Sequence, residues 1–123
     1  MNRWNIPLDV ERAVAARDLN CAYCREPFSS RDGPYRSRAS WEHVVNDLAL
    51  VTAENIVLCC VGCNASKGAK PLALWLESFY CQQQGITSES VSATVRAALA
   101  AAGSHQWAAP NNSFKPKPLR GSA

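Results

Sequence analysis

The chain has 123 residues, 47% hydrophobic and 19% charged, a balance that fits one soluble globular domain. No apolar run reaches the length of a membrane span, and no apolar signal core follows Met1–Asn5, so the expected compartment is the cytoplasm, with no membrane partner. The net charge of +3 is matched by Lys115, Lys117 and Arg120 near the C-terminus, so charge alone does not announce a nucleic-acid binder.

In chain order, residues 7–18 read as a helix, with Pro7 at its first position and Val10, Ala13 and Val14 sharing a face. Cys21-Ala22-Tyr23-Cys24 follows. Residues 26–37 hold Pro27, Gly33 and Pro34 and form a loop. Arg25, Arg31, Arg36 and Arg38 make a local basic stretch, which reads either as a solvated loop or as a phosphate contact. Ala39–Val45 has the aromatic and β-branched content of a strand, and Asn46 and Asp47 break it. Ile56–Cys59 is a second short strand. Asn64–Lys67 open a short helix. From Pro71, the residues Leu72, Trp75, Leu76, Phe79 and Tyr80 recur at helical spacing and mark a core-facing stripe, with Gly85 as the stop. A last helix is expected over 88–102, with Val91, Val95, Leu99 and Ala102 on one face and Gly103 beyond it. Residues 104–123 read as a disordered tail.

Six cysteines are many for a chain in a reducing compartment, and there they favour metal over disulfides. Two residues between ligands let both sulfurs of a pair reach one ion from a tight turn. Cys21-x-x-Cys24 and Cys60-x-x-Cys63 would together complete a closed tetrahedral site for a structural zinc ion. The 35 residues between the pairs leave room for a hairpin. Cys59 is an alternative to Cys60, and the spacing favours Cys60. A redox or unpaired set of thiols is the competing reading. Cys81 reads as a semi-buried thiol with no special role.

Trp41-Glu42-His43-Val44-Val45-Asn46 lies between the cysteine pairs. Hydrolysis of a phosphodiester needs an activated water and neutralised phosphate charge. The imidazole of His43 suits proton transfer at neutral pH. The carboxylate of Glu42 is a hard oxygen ligand suited to Mg²⁺ or Mn²⁺. In a regular strand the two side chains face opposite ways, so a shared site requires a bend or a strand end there.

The ordered set Cys-x-x-Cys, Glu42-His43, Asn55, Cys-x-x-Cys63-Asn64-x-x-Lys67-Gly68 resembles the HNH endonuclease family over residues 21–68. The resemblance implies an α+β fold, a zinc-bound ββα-metal core of treble-clef type with one helix before it and two after. The nuclease domain would cover 1–103, its core 19–70 and its C-terminal helices 71–103. His43 would be the general base, Asn55 would hold it in place, and Lys67 would approach a phosphate near the helix N-terminus. Glu42 and Asn64 would ligate a catalytic Mg²⁺ or Mn²⁺, while Cys21, Cys24, Cys60 and Cys63 hold zinc. Arg36, Arg38 and Lys70 are candidate contacts to nucleic acid, with double-stranded DNA the expected partner and a dimer one way to cut both strands. The chain departs from the family pattern with Asn46 in place of a proline, no glycine pair before Asn55, an additional acid at Asp47, and Asn64 rather than histidine. The rival readings are a non-catalytic zinc module that binds nucleic acid or protein, and a nuclease acting on RNA.

Overall fold

The computed structural model describes Asn2 and residues 4–108, with side chains as far as residue 102. Helix α1 (Leu8–Arg17) leads into the first cysteine pair. Strands β1 (Ala39–His43) and β2 (Ile56–Cys60) form an antiparallel hairpin, Ala39 opposite Cys60 and His43 opposite Ile56. Helix α2 (Val61–Lys67) follows β2 without a gap, and α3 (Leu72–Trp75), α4 (Phe79–Gln84) and α5 (Ala93–Ala108) complete the described residues.

A two-stranded ribbon is marginal by itself, so both of its faces need cover. On one face Trp41, Ile56 and Leu58 pack against Ile6, Val10 and Val14 at α1. On the other, Val57, Cys59 and Val44 join Tyr23, Trp75, Cys81, Ile86, Val91 and Val95 in the main core. Alternation along the strands assigns these faces. Tyr23 and Trp75 meet edge to face with centroids 4.9 Å apart. The outer edge of β2 is closed as well. Asp18 accepts the Leu58 N–H at 3.0 Å, and the Leu58 carbonyl accepts the Ala22 N–H at 3.0 Å. Arg17 reinforces this corner with bonds to Asp18 and to the Ala53 and Ile56 carbonyls.

Local chemistry moved several element boundaries from the positions read in the sequence. β1 ends at His43 rather than Val45, because the Asn55 side chain takes the Val45 N–H at 2.8 Å. α2 begins at Val61 rather than Asn64, because the Cys60 sulfur accepts the Cys63 N–H and serves as N-cap. The helix expected to run on from Pro71 is broken in two. Ser78 caps α4 by accepting the Cys81 N–H at 3.2 Å, which rotates Phe79 out to 74% exposure and turns Cys81 fully inward. Phe79 therefore leaves the expected stripe, and three helices follow α2 instead of two. Gly85, at φ 70, closes α4 in the left-handed conformation, as its position suggested. The last helix starts at Ala93, where Ser92 caps it, and runs through Gly103 to Ala108. The expected tail thus begins inside α5, and residues 109–123 lie outside the described residues. Among the described residues no helix is long and apolar enough to cross a membrane.

Candidate functional site

The sulfurs of Cys21, Cys24, Cys60 and Cys63 all lie within 4.8 Å of one another. Cys60 and not Cys59 joins them. Cys59 stands opposite Ser40 on the core-facing side of β2 and is fully buried there, with the Ser40 hydroxyl bonded to its carbonyl at 2.8 Å. Burial pushes the Cys59 thiol up from its ordinary value.

The first pair sits in a tight knuckle. The Arg25 N–H bonds the Cys21 carbonyl at 3.0 Å, and the Cys21 N–H bonds the Glu26 carbonyl at 2.9 Å. Closing this turn holds Arg25 at φ 68, a region where a non-glycine residue costs roughly 1–2 kcal/mol. The second pair is formed by the end of β2 and the first turn of α2.

Donors surround the sulfurs. The N–H groups of Tyr23 and Cys24 point to Cys21 Sγ and that of Cys63 to Cys60 Sγ, each at 3.4 Å. The Tyr80 hydroxyl donates to Cys63 Sγ, also at 3.4 Å. Bonds from Cys24, Cys60 and Cys63 hold the Cys21 thiol far below its ordinary value. Four converging sulfurs with donors aimed at them suit a tetrathiolate metal centre, whose negative charge such donors stabilise. The cluster can hold a metal ion such as zinc. Its consequence for the fold is mechanical: it ties the 21–24 knuckle, the Cys60 end of the hairpin and α2 to one point.

At the other end of the hairpin β1 delivers Glu42 and His43. Glu42 is only 7% exposed and faces the main core. Its Oε2 accepts the Tyr23 hydroxyl at 2.9 Å and pairs with Lys67 Nζ at 2.9 Å. Burial, and then the charge of Glu42, raise the Tyr23 phenol well above its ordinary value, so it stays protonated and donates. Lys67, expected at a phosphate, is fully buried in the last turn of α2, and it also reaches the His43 carbonyl at 3.4 Å. Asn64, one turn earlier, donates to the Ser40 hydroxyl at 3.0 Å and the Trp41 carbonyl at 3.1 Å. Residues three apart on a helix thus meet two carbonyls two residues apart on the strand, and the length of the lysine spans the difference in rise.

His43 lies on the opposite face of the ribbon from Glu42, opposite Ile56 at the last ladder position. It is half-buried, and its Nε2 is buried without a hydrogen-bond partner among the described residues. The loop behind it is held by Asn55. The Asn55 Oδ1 accepts the Val45 N–H at 2.8 Å, while Nδ2 donates to the carbonyls of Val45 at 3.1 Å and Leu50 at 3.0 Å.

The structure therefore brings Glu42, Asn64 and Lys67 together and does not turn His43 into the same pocket. As it stands, Glu42 does not fit a solvated divalent ion. Its carboxylate is buried and already carries an ammonium. A magnesium-type ion keeps several waters and needs an open carboxylate.

The candidate nucleic-acid contacts are spread out. Arg36 is exposed and lies over Gly62, where an added Cβ would come within 3.4 Å of its guanidinium and of the Tyr80 hydroxyl. Arg38 bonds the Arg31 carbonyl and covers the Tyr35 ring at 5.5 Å. Lys70 is exposed and bonds the Ser66 carbonyl at 2.9 Å. Sequence reasoning gave Tyr23 and Tyr80 no polar role, since Tyr23 fills an unspecified position inside Cys21-x-x-Cys24 and Tyr80 belongs to the apolar stripe, and only the packing shows what each hydroxyl meets.

Fold and site together define a small α+β protein in which a two-stranded antiparallel sheet and five described helices surround a four-cysteine cluster able to bind metal. Over 70 residues, 54% of this chain, it is 31% identical to the CRISPR-associated endonuclease Cas9 of Corynebacterium diphtheriae. The matched stretch spans only 6% of that protein's length. No protein-family profile matches the chain, and no solved structure matches it.

Proposed function

We propose that this chain is a zinc-stapled endonuclease of the HNH type that hydrolyses phosphodiester bonds of nucleic acid, DNA in the first instance, with His43 as general base. The observation that carries this reading is the buried Nε2 of His43, without a hydrogen-bond partner among the described residues, at the end of β1, whose first residue, Ala39, pairs with Cys60 of the four-cysteine cluster. A polar atom left without a partner in a half-buried position is uncommon and points to a role outside the fold. The partial likeness to an endonuclease supports the same reading.

In the proposed reaction a water oxygen forms the new P–O bond and its proton passes to the imidazole nitrogen. The bond to the leaving oxygen breaks, and that oxygen takes a proton from solvent. Asn55 acts by positioning: it fixes the backbone of Val45 and so the exit of the chain from His43. Glu42, Asn64 and Lys67 act together by holding the end of β1 against α2. Arg36, Arg38 and Lys70 are proposed to meet the phosphate backbone. The described residues carry one such site, so a monomer nicks, and a dimer or repeated binding is needed to cut both strands.

One observation favours a second reading, a non-catalytic zinc module that binds nucleic acid or protein: the Glu42 charge is already neutralised by Lys67. Supercoiled plasmid incubated with zinc-loaded protein and Mg²⁺ or Mn²⁺ separates the two. The nuclease reading expects nicked circles from the wild type and none from His43→Ala at unchanged zinc content and melting temperature. Nicking by His43→Ala would remove the base assignment, and no nicking by either protein would favour the binding module. An RNA substrate in parallel tests the choice of nucleic acid.

A further inference from the structure

A lysine with no exposed surface is rare, because desolvating an ammonium is costly unless a carboxylate and further acceptors meet it. Lys67 meets two oxygens at the end of β1, Glu42 Oε2 at 2.9 Å and the His43 carbonyl at 3.4 Å. The Tyr23 hydroxyl reaches the same Oε2 from a third direction at 2.9 Å. A carboxylate and a backbone carbonyl are also the oxygens a hard divalent cation takes. With Lys67 in place, an incoming cation meets an ion pair whose net charge is already zero, and the ammonium must be moved before the carboxylate can bind it.

We propose that the Lys67 ammonium is the resident cation of this site, and that a divalent metal ion reaches Glu42 only by displacing it. The residue at position 67 then sets the metal affinity of the site. The inference goes beyond the nuclease reading, in which Glu42 and Lys67 hold β1 against α2, and it is tested without any nucleic acid.

The experiment titrates Mn²⁺ into the full-length, zinc-loaded protein and follows free Mn²⁺ by electron paramagnetic resonance, with thermal unfolding in parallel. Wild type is expected to bind only in the millimolar range. Lys67→Met and Lys67→Gln are expected to bind roughly tenfold more tightly or better, and to gain more thermal stability from Mn²⁺ than wild type does. Adding Glu42→Gln to either variant is expected to abolish the gain. Equal affinity in wild type and both variants overturns the inference, as does a gain that survives Glu42→Gln. A readout on wild type holds even where the variants fold poorly: its Glu42 and His43 amide resonances should not broaden at micromolar Mn²⁺, and broadening there overturns the inference too. Tight Mn²⁺ binding by wild type would refute this proposal and leave the nicking assay to judge the nuclease reading. Absence of nicking would leave the titration interpretable.

Discussion

Replacing Asn55 by alanine removes three hydrogen bonds at once, one into the Oδ1 from Val45 and two from Nδ2 to the Val45 and Leu50 carbonyls. Each such bond contributes about 1 kcal/mol net, so an upper figure is about 3 kcal/mol. Val45 and Leu50 are 43% and 41% exposed, so water replaces part of what is lost. A net cost of about 2 kcal/mol follows. For a domain of this size that corresponds to a fall in melting temperature of roughly 8–10 °C. Zinc should stay bound, because Asn55 sits beyond the Ile56–His43 end of the hairpin and the cysteine cluster joins the Cys60 end. Thermal unfolding by circular dichroism, with zinc measured on the same sample, checks both halves. Nicking measured well below the lowered melting temperature should still fall, since the chain leaves His43 without its anchor. Asn55→Asp should be less stable than Asn55→Ala at neutral pH, because a carboxylate would face the two carbonyls that Nδ2 now serves. A melting temperature for Asn55→Ala within about 2 °C of wild type would refute the anchoring argument, and so would loss of zinc.

Cys24→Ser removes one of the four converging sulfurs, and because structural zinc in finger peptides contributes about 10–16 kcal/mol, the variant should lose zinc and unfold cooperatively at no ordinary temperature. A folded, zinc-free Cys24→Ser, seen by circular dichroism and metal analysis, would contradict this. Stability should also fall as pH rises above about 10. Tyr23 keeps its proton in the folded protein while the unfolded chain releases it, so the unfolded state binds fewer protons there and gains on the folded one. Tyr23→Phe should flatten that alkaline slope in urea melts taken between neutral and alkaline pH, and an unchanged slope would dissociate the effect from Tyr23.

Most elements were legible in order and type before any coordinates, because they rest on short-range rules. Val10 and Val14 sit on one helical face, Ile56–Cys59 is a short apolar run, and Gly85 supplies a left-handed stop. The choice of Cys60 over Cys59 followed from spacing, since two intervening residues let a turn bring both sulfurs together. Boundaries were less legible where one side chain intercepts a backbone donor. Ser78 splits a continuous apolar stripe, and Asn55 ends β1 two residues early. Nothing in a periodicity count weighs such a bond against another turn of helix or another rung of sheet.

The candidate site divides in the same way. Strand alternation already required Glu42 and His43 to part company unless the strand bent, and β1 stays regular to its last pair. That Lys67 closes on Glu42, with Tyr23 on the same oxygen, depends on α2 lying along β1, a contact between segments 25 residues apart. By itself, then, the sequence determined that two cysteine pairs would meet, because spacing and side-chain type are local properties. Only the tertiary structure decided which charges neutralise each other in the interior, because the partner of a buried lysine is selected by packing across the chain and not by its neighbours in the sequence.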